Sequence, residues 1–176
     1  MNKLVNITLA FIIALLCMLS YAVLSVDGSR VSEYLCKEKH KDDPGYKIMA
    51  EEHVKGINAY VGTTDEKIFL DIYMKDEYWG GSKGNINSNS SQLDIFDYTG
   101  KQKIIIVWGI KELSDYKKYK LTMQVGGDDS NNFETIKDIS HRKYIVDIFI
   151  LDGISDKMLY TPDLVMLKWY FDWKYI

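Results

Sequence analysis

The chain of 176 residues is short of cysteine, proline, histidine and arginine, and it has no excess of positive charge. Each shortage excludes something. Two cysteines make neither a disulfide framework nor a four-thiolate zinc site. There are only two prolines and no internal repeat, and no segment reads as a domain linker. Lys+Arg number 22 against 25 Asp+Glu, a formal net charge of −3, whereas a nucleic-acid module usually carries a basic imbalance. The only arginines are Arg30 and Arg142, a bias that fits an AT-rich genome and decides nothing further. What is present is ordinary for a globular chain: 47% hydrophobic, 27% charged and 13% aromatic residues.

One further absence is local. No charged residue occurs from Leu4 to Val26, and Lys3 is the only charged side chain before Asp27. The most apolar part, Leu9 to Leu19, has the length of a signal-peptide core, and Ser20-Tyr21-Ala22 places small residues for cleavage after Ala22. Residues 1–22 therefore read as a signal peptide. The alternative is an uncleaved membrane anchor over residues 4–26, since about 20 apolar residues span a bilayer. Either way Lys3 precedes the run and Asp27 follows it, so the rest of the chain is expected outside the cytoplasm, secreted or periplasmic. Leu16 before Cys17 argues against a lipoprotein. Cleavage would remove Cys17 and leave Cys36 as an unpaired thiol, either packed as a small apolar residue or joining two chains as a dimer.

The exported part, residues 23–176, reads as a single β-rich domain. Two short helices are expected first. One is capped by Ser29 and runs to about His40; the other opens at Asp43-Pro44 and carries Tyr46, Met49, Ala50, His53 and Val54 on one stripe, ending at Lys55-Gly56. Beyond Gly56 the period becomes two. Lys67–Lys75, Lys118–Val125 and Tyr144–Ile150 alternate as strands with one face buried and one wet. Lys103–Ile110 is apolar on both faces, as for a central strand. Shorter candidates are Ile57–Val61, Leu93–Tyr98 and Glu134–Ile139. Leu164–Tyr175 reads as a closing strand whose Val165, Leu167, Trp169, Phe171, Trp173 and Tyr175 share one inward face. Thr99-Gly100-Lys101 and Gly126–Asn132 read as turns, and Asp76–Gln92 as a long irregular loop. The fold class is mainly β, an antiparallel sandwich-like arrangement behind two N-terminal helices, with α+β as the alternative.

No motif carries chemistry by itself. His40, His53 and His141 have no metal-ligand spacing, Ser140-His141 are sequence neighbours on opposite faces if they lie on a strand, and no nucleophile elbow, phosphate loop or dinucleotide fingerprint occurs. Asp128 to Asn132 with Glu134 cluster oxygen ligands without the spacing of a calcium loop. Lys37-Glu38-Lys39-His40-Lys41 reads as a solvated helix end. No metal or cofactor is expected. Asn89-Ser90-Ser91 is a glycosylation sequon, used only in a eukaryotic secretory pathway.

The function expected from this pattern is a non-enzymatic interaction protein outside the cytoplasm, of inhibitor, immunity or secreted host-factor-binding type. Its partner would be a protein and not a nucleic acid. Tyr78, Trp79, Trp169 and Trp173 are the candidate contact residues, because Trp and Tyr dominate interface hot spots. Two other functions compete. One is a small hydrolase working with cleft carboxylates among Asp71, Asp94, Asp97 and Asp147. The other is a membrane-anchored subunit of an envelope complex, attached through residues 4–26.

Overall fold

A computed structural model describes residues 28–86, 92–99, 103–111, 116–125, 133–151 and 160–167. They form one helix, α1 (Gly28–Lys39), followed by ten strands. The strands are β1 (Lys47–Val54), β2 (Ile57–Thr63), β3 (Lys67–Met74), β4 (Glu77–Asn85), β5 (Gln92–Thr99), β6 (Lys103–Ile110), β7 (Lys118–Val125), β8 (Phe133–Asp138), β9 (Tyr144–Leu151) and β10 (Tyr160–Leu167). Every pairing is antiparallel. The protein is mainly β, as its alternating sequence implies.

Three sheets result: β1-β2-β3-β4, β5-β6-β9 and β10-β7-β8. The middle sheet is apolar on both sides. One face, with Ile104, Ile106, Trp108 and Val146, packs against Ile57, Val61, Leu70 and Ile72 of the first sheet. Its other face, with Ile105, Val107 and Ile145, packs against Tyr119, Leu121 and Met123 of the third. This is why β6 carries Ile104-Ile105-Ile106-Val107-Trp108 without a polar break: neither face meets water. Each large apolar side chain so enclosed contributes roughly 1.5–3 kcal/mol. β1 lies beside the free edge of β9, where the Glu52 carboxylate accepts a 3.1 Å hydrogen bond from the Ile148 N–H.

A fourth layer covers the first sheet from outside. Helix α1 lies over Tyr60 and Tyr73, with Cys36, Leu35, Tyr46 and Ile48 closing the space. This layer corrects the expectation of one wet face on Lys67–Lys75. Phe69, Asp71 and Tyr73 are buried like their apolar neighbours, because the helix roofs them.

The second expected helix is a strand. Tyr46, Ile48, Ala50, Glu52 and Val54 are half-buried and alternate with exposed Lys47, Met49, Glu51 and His53, a period of two that fits this segment as well as the helical stripe does. The tie is broken by Lys55 and Gly56, both left-handed (φ 48° and 79°), which make the tight turn that right-twisted hairpins prefer. The expected loop over Asp76–Gln92 is also mostly strand. Lys75 and Asp76 repeat the left-handed turn (φ 50° and 65°), and β4 then returns along β3. Its Gly80, Gly81 and Gly84 hid it from a pattern of apolar alternation. Gly81 is needed there, since a Cβ would overlap the Leu70 carbonyl oxygen on β3.

At the C-terminal end the strand begins at Tyr160 and not Leu164. Leu164 packs on the core of the third sheet, whereas Val165 is 46% exposed, so the face carrying Val165 is the outer one at that position. Trp169, Phe171, Trp173 and Tyr175 lie outside the described residues, as do residues 1–27, the expected turn at 126–132 and Asn89. Among the described residues no helix is long and apolar enough to cross a membrane.

Candidate functional site

The most concentrated set of polar side chains lies between α1 and β3. Its origin is a stripe on the helix at i, i+4 and i+8: Ser32, Cys36 and, just past the last turn, His40, all buried. A helix normally buries apolar residues; this one buries small polar ones, and each finds a partner. The Ser32 and Tyr60 hydroxyls are 2.8 Å apart. The Cys36 thiol lies 3.2 Å from the Tyr46 hydroxyl and 3.6 Å from Asp71 Oδ2. His40 Nε2 meets Asp71 Oδ2 at 2.7 Å, and its Nδ1 meets Asp43 Oδ2 at the same distance. The ring is stacked on Tyr46, with centroids 4.2 Å apart.

Asp71 is the centre of this set. It is 1% exposed, and besides His40 it accepts a 2.5 Å hydrogen bond from Lys39 Nζ. A buried carboxylate must be paired and hydrogen-bonded to be tolerated, and here a thiol, an imidazole and an ammonium surround it. Burial alone would pull the Lys39 ammonium down, but its bonds to Asp71 and Tyr78 lift it above its ordinary value. The same ammonium sits 3.6 Å from the centre of the Tyr78 ring, a cation–π contact.

The arrangement defines what the cluster can do chemically. In a thiol nucleophile site the sulfur bonds the imidazole and the carboxylate orients the ring from behind. Here Asp71 stands between Cys36 and His40. Burial pushes the thiol up, the Tyr46 hydroxyl offsets part of that, and Asp71 adds to it, leaving the pKa at about 12. Both nitrogens of His40 face carboxylate oxygens, so neither is open to take a proton from a substrate. Among the described residues no three His, Cys, Asp or Glu are grouped to hold a metal ion.

An open cleft of about 470 Å³ lies alongside, walled by Lys39, His40, Asp71, Tyr78, Lys67 and Lys83 and floored by Gly81 and Ser82. It exists because α1 covers β2 and β3 but leaves the β4 side of the same face open. Lys83 sits opposite Phe69, Gly81 opposite Asp71, and Tyr78 opposite Tyr73. A larger cleft of about 580 Å³ runs between the helix and β1, with Glu33, Lys37, Met49 and Glu51 among its walls.

The expected contact pair Tyr78 and Trp79 is on β4 and not on a loop, and its two rings go to different places. Tyr78 is 50% exposed at the cleft and edge-on to Tyr73, while Trp79 packs on the inner core against Tyr98. Of the carboxylates considered for hydrolysis, Asp94 is exposed and bonds the Ile95 N–H, and Asp97 is exposed and pairs with buried Lys103. Asp147 is buried, accepting from Tyr119 at 2.7 Å and from Arg142 at 2.8 and 3.1 Å. The four do not converge in one cleft.

Cys36 is fully buried. The basic run Lys37–Lys41 is only partly solvated: Lys37 pairs with Glu33 on the surface, while Lys39 and His40 turn inward to Asp71. His53, expected on a helical stripe, is on β1 and bonds Asn58 at 2.9 Å. Ser140 and His141 occupy the turn between β8 and β9. Glu134 pairs across strands with Lys120. The site as a whole is missed from sequence, although Ser32, Cys36 and His40 at fourfold spacing and Asp71 inside an apolar strand are its signals.

Among the described residues, these observations define an antiparallel β protein of three sheets roofed by one helix. No protein-family model, curated protein or solved structure matches the chain.

Proposed function

We propose that the chain is a non-enzymatic binding protein whose partner is a protein, and that its apolar N-terminal segment delivers it outside the cytoplasm. The observation that supports this reading best is the pairing of a closed polar cluster with an open cleft. The groups capable of proton transfer or nucleophilic attack at Asp71 are occupied by one another. Beside them lies a cleft with an exposed tyrosine ring, a residue type enriched at interfaces, and lysine ammonium groups that give the cleft its charge.

The test is capture with the tagged full-length chain, followed by rebinding of the purified captured protein. Direct rebinding that weakens about tenfold or more in Tyr78→Ala is the expected result, the size of an interface hot spot. Turnover of ester, peptide or glycoside substrates by the purified chain, with no protein that rebinds, overturns the reading. Delivery is checked by the intact mass and location of the native protein; retention in the cytoplasm overturns that part.

A further inference from the structure

We propose that the outer edge of β4, over Gly80–Asn85, receives an extended segment of the partner protein in which acidic and apolar side chains alternate. The proposal rests on the binding reading above and names the surface and the kind of segment. Three independent features meet at this one stretch.

The first is an unpaired edge. β4 ends its sheet, and among the described residues no strand is hydrogen-bonded on its far side. Alternate main-chain N–H and C=O groups there point away from β3, a ready template for an added strand.

The second is charge on the outer side. Lys39, Lys67 and Lys83 surround the cleft of about 470 Å³. The two carboxylates in its wall are already engaged, Asp71 by Lys39 and His40 and Asp43 by His40. Lys67 and Lys83 thus set a positive local field on a chain whose net charge is −3.

The third lies on the inner side. A depression of about 230 Å³ opens between the first and middle sheets, lined by Ile68, Leu93 and Trp108 with Lys83 and Gly84 of β4, and with Asp94 among its walls. Trp108 is 4% exposed, and its buried Nε1–H has no partner among the described residues. The depression thus offers Ile68, Leu93 and the Trp108 ring as apolar contact surface beside the strand edge. The apolar walls and Asp94 suit an apolar side chain and not an acid.

Side chains of an extended chain point alternately to opposite faces. A segment laid along β4 would therefore send one side chain to the lysines and the next toward Trp108. A sulfated glycan or an anionic membrane would satisfy the lysines but neither the main-chain edge nor the apolar depression, which is why a peptide is favoured.

The test titrates the full chain with three labelled eight-residue peptides: alternating Glu and Val, alternating Gln and Val, and a block of four Glu followed by four Val. The expected result is that the alternating acidic peptide binds about tenfold or more tighter than both controls. The same peptide should slow hydrogen exchange at residues 80–85. A Lys67→Glu, Lys83→Glu double variant with unchanged Tm should lose that binding, since like charges then face each other. Equal binding of the block peptide, indifference to the charge reversal, or saturation by a heparin fragment or phosphatidylserine vesicles in place of the peptide each overturns the proposal. If the purified captured partner binds this double variant as well as the native chain, the edge assignment fails and the binding reading stands. Substrate turnover with no partner fails the binding reading itself.

Discussion

Two buried aspartates, Asp71 on β3 and Asp147 on β9, solve the same electrostatic problem in different surroundings. Both lie on strands whose neighbours are apolar, and both are held by one cation and further donors. Asp71 takes its partners from a helix laid over the sheet, and the Lys39 ammonium that neutralises it stands at an open cleft. Asp147 takes Tyr119 from the facing sheet and Arg142 from the turn just before its own strand, and it lines neither that cleft nor the one beside β1. Arg142 is further fixed by donating to the Val146 carbonyl. The comparison teaches that burial of a carboxylate does not by itself mark a site; what distinguishes Asp71 is the open space its cation shares.

The largest effect that would sharpen this contrast is expected from Asp147→Ala. It leaves the buried Tyr119 hydroxyl and the Arg142 charge without their acceptor and should cost about 3–5 kcal/mol in urea unfolding. Asp71→Ala should cost less, about 1.5–3 kcal/mol, because it orphans a weak thiol donor and an imidazole that keeps Asp43, not a fully buried tyrosine hydroxyl. Equal losses at the two positions would remove the distinction. In the native chain the Cys36 thiol beside Asp71 should react with iodoacetamide at pH 8 more than about a hundredfold slower than in urea, since only the thiolate attacks. Fast labelling would mean that the roof of the cluster opens readily.

The smallest effect concerns Glu52, whose pKa is raised, first by burial and then by the Asp147 charge. Its protonated form is favoured in the folded state, so the stability it contributes is present below the ordinary glutamate pKa and lost as pH rises through the raised one. Glu52→Gln keeps an acceptor for the Ile148 N–H and removes the repulsion. It should stabilise the chain at neutral pH by less than about 1 kcal/mol after solvent screening, and by nothing below about pH 4. A destabilised Gln variant at pH 7 would show that the charge helps Arg142 more than it opposes Asp147.

The sequence carried the strands well wherever apolar alternation or an unbroken apolar run was long. Lys67–Lys75, Lys103–Ile110, Lys118–Val125 and Tyr144–Ile150 match β3, β6, β7 and β9 to within a residue or so. It failed where two periods fit equally, as at Tyr46–Val54, and where glycine removed the signal, as at Gly80–Gly84. The site was illegible for a different reason. A half-buried strand and a roofed strand differ only in what lands on the second face, and Asp71 looks solvent-facing until α1 is placed above it. Helix α1 in turn hides its inward face, because Ser32, Cys36 and His40 resemble a polar surface.

The pairing of β6 with β9 also has a temporal side. The third sheet's β7 and β8 lie between them in sequence, so an emerging chain presents Ile104–Ile110 with one edge unmatched until Tyr144–Leu151 arrives. A product ended before Tyr144 would keep that apolar edge open permanently, a template for joining other copies. The late arrival of β9 thus makes completion of this strand the step that separates a closed core from an open apolar edge.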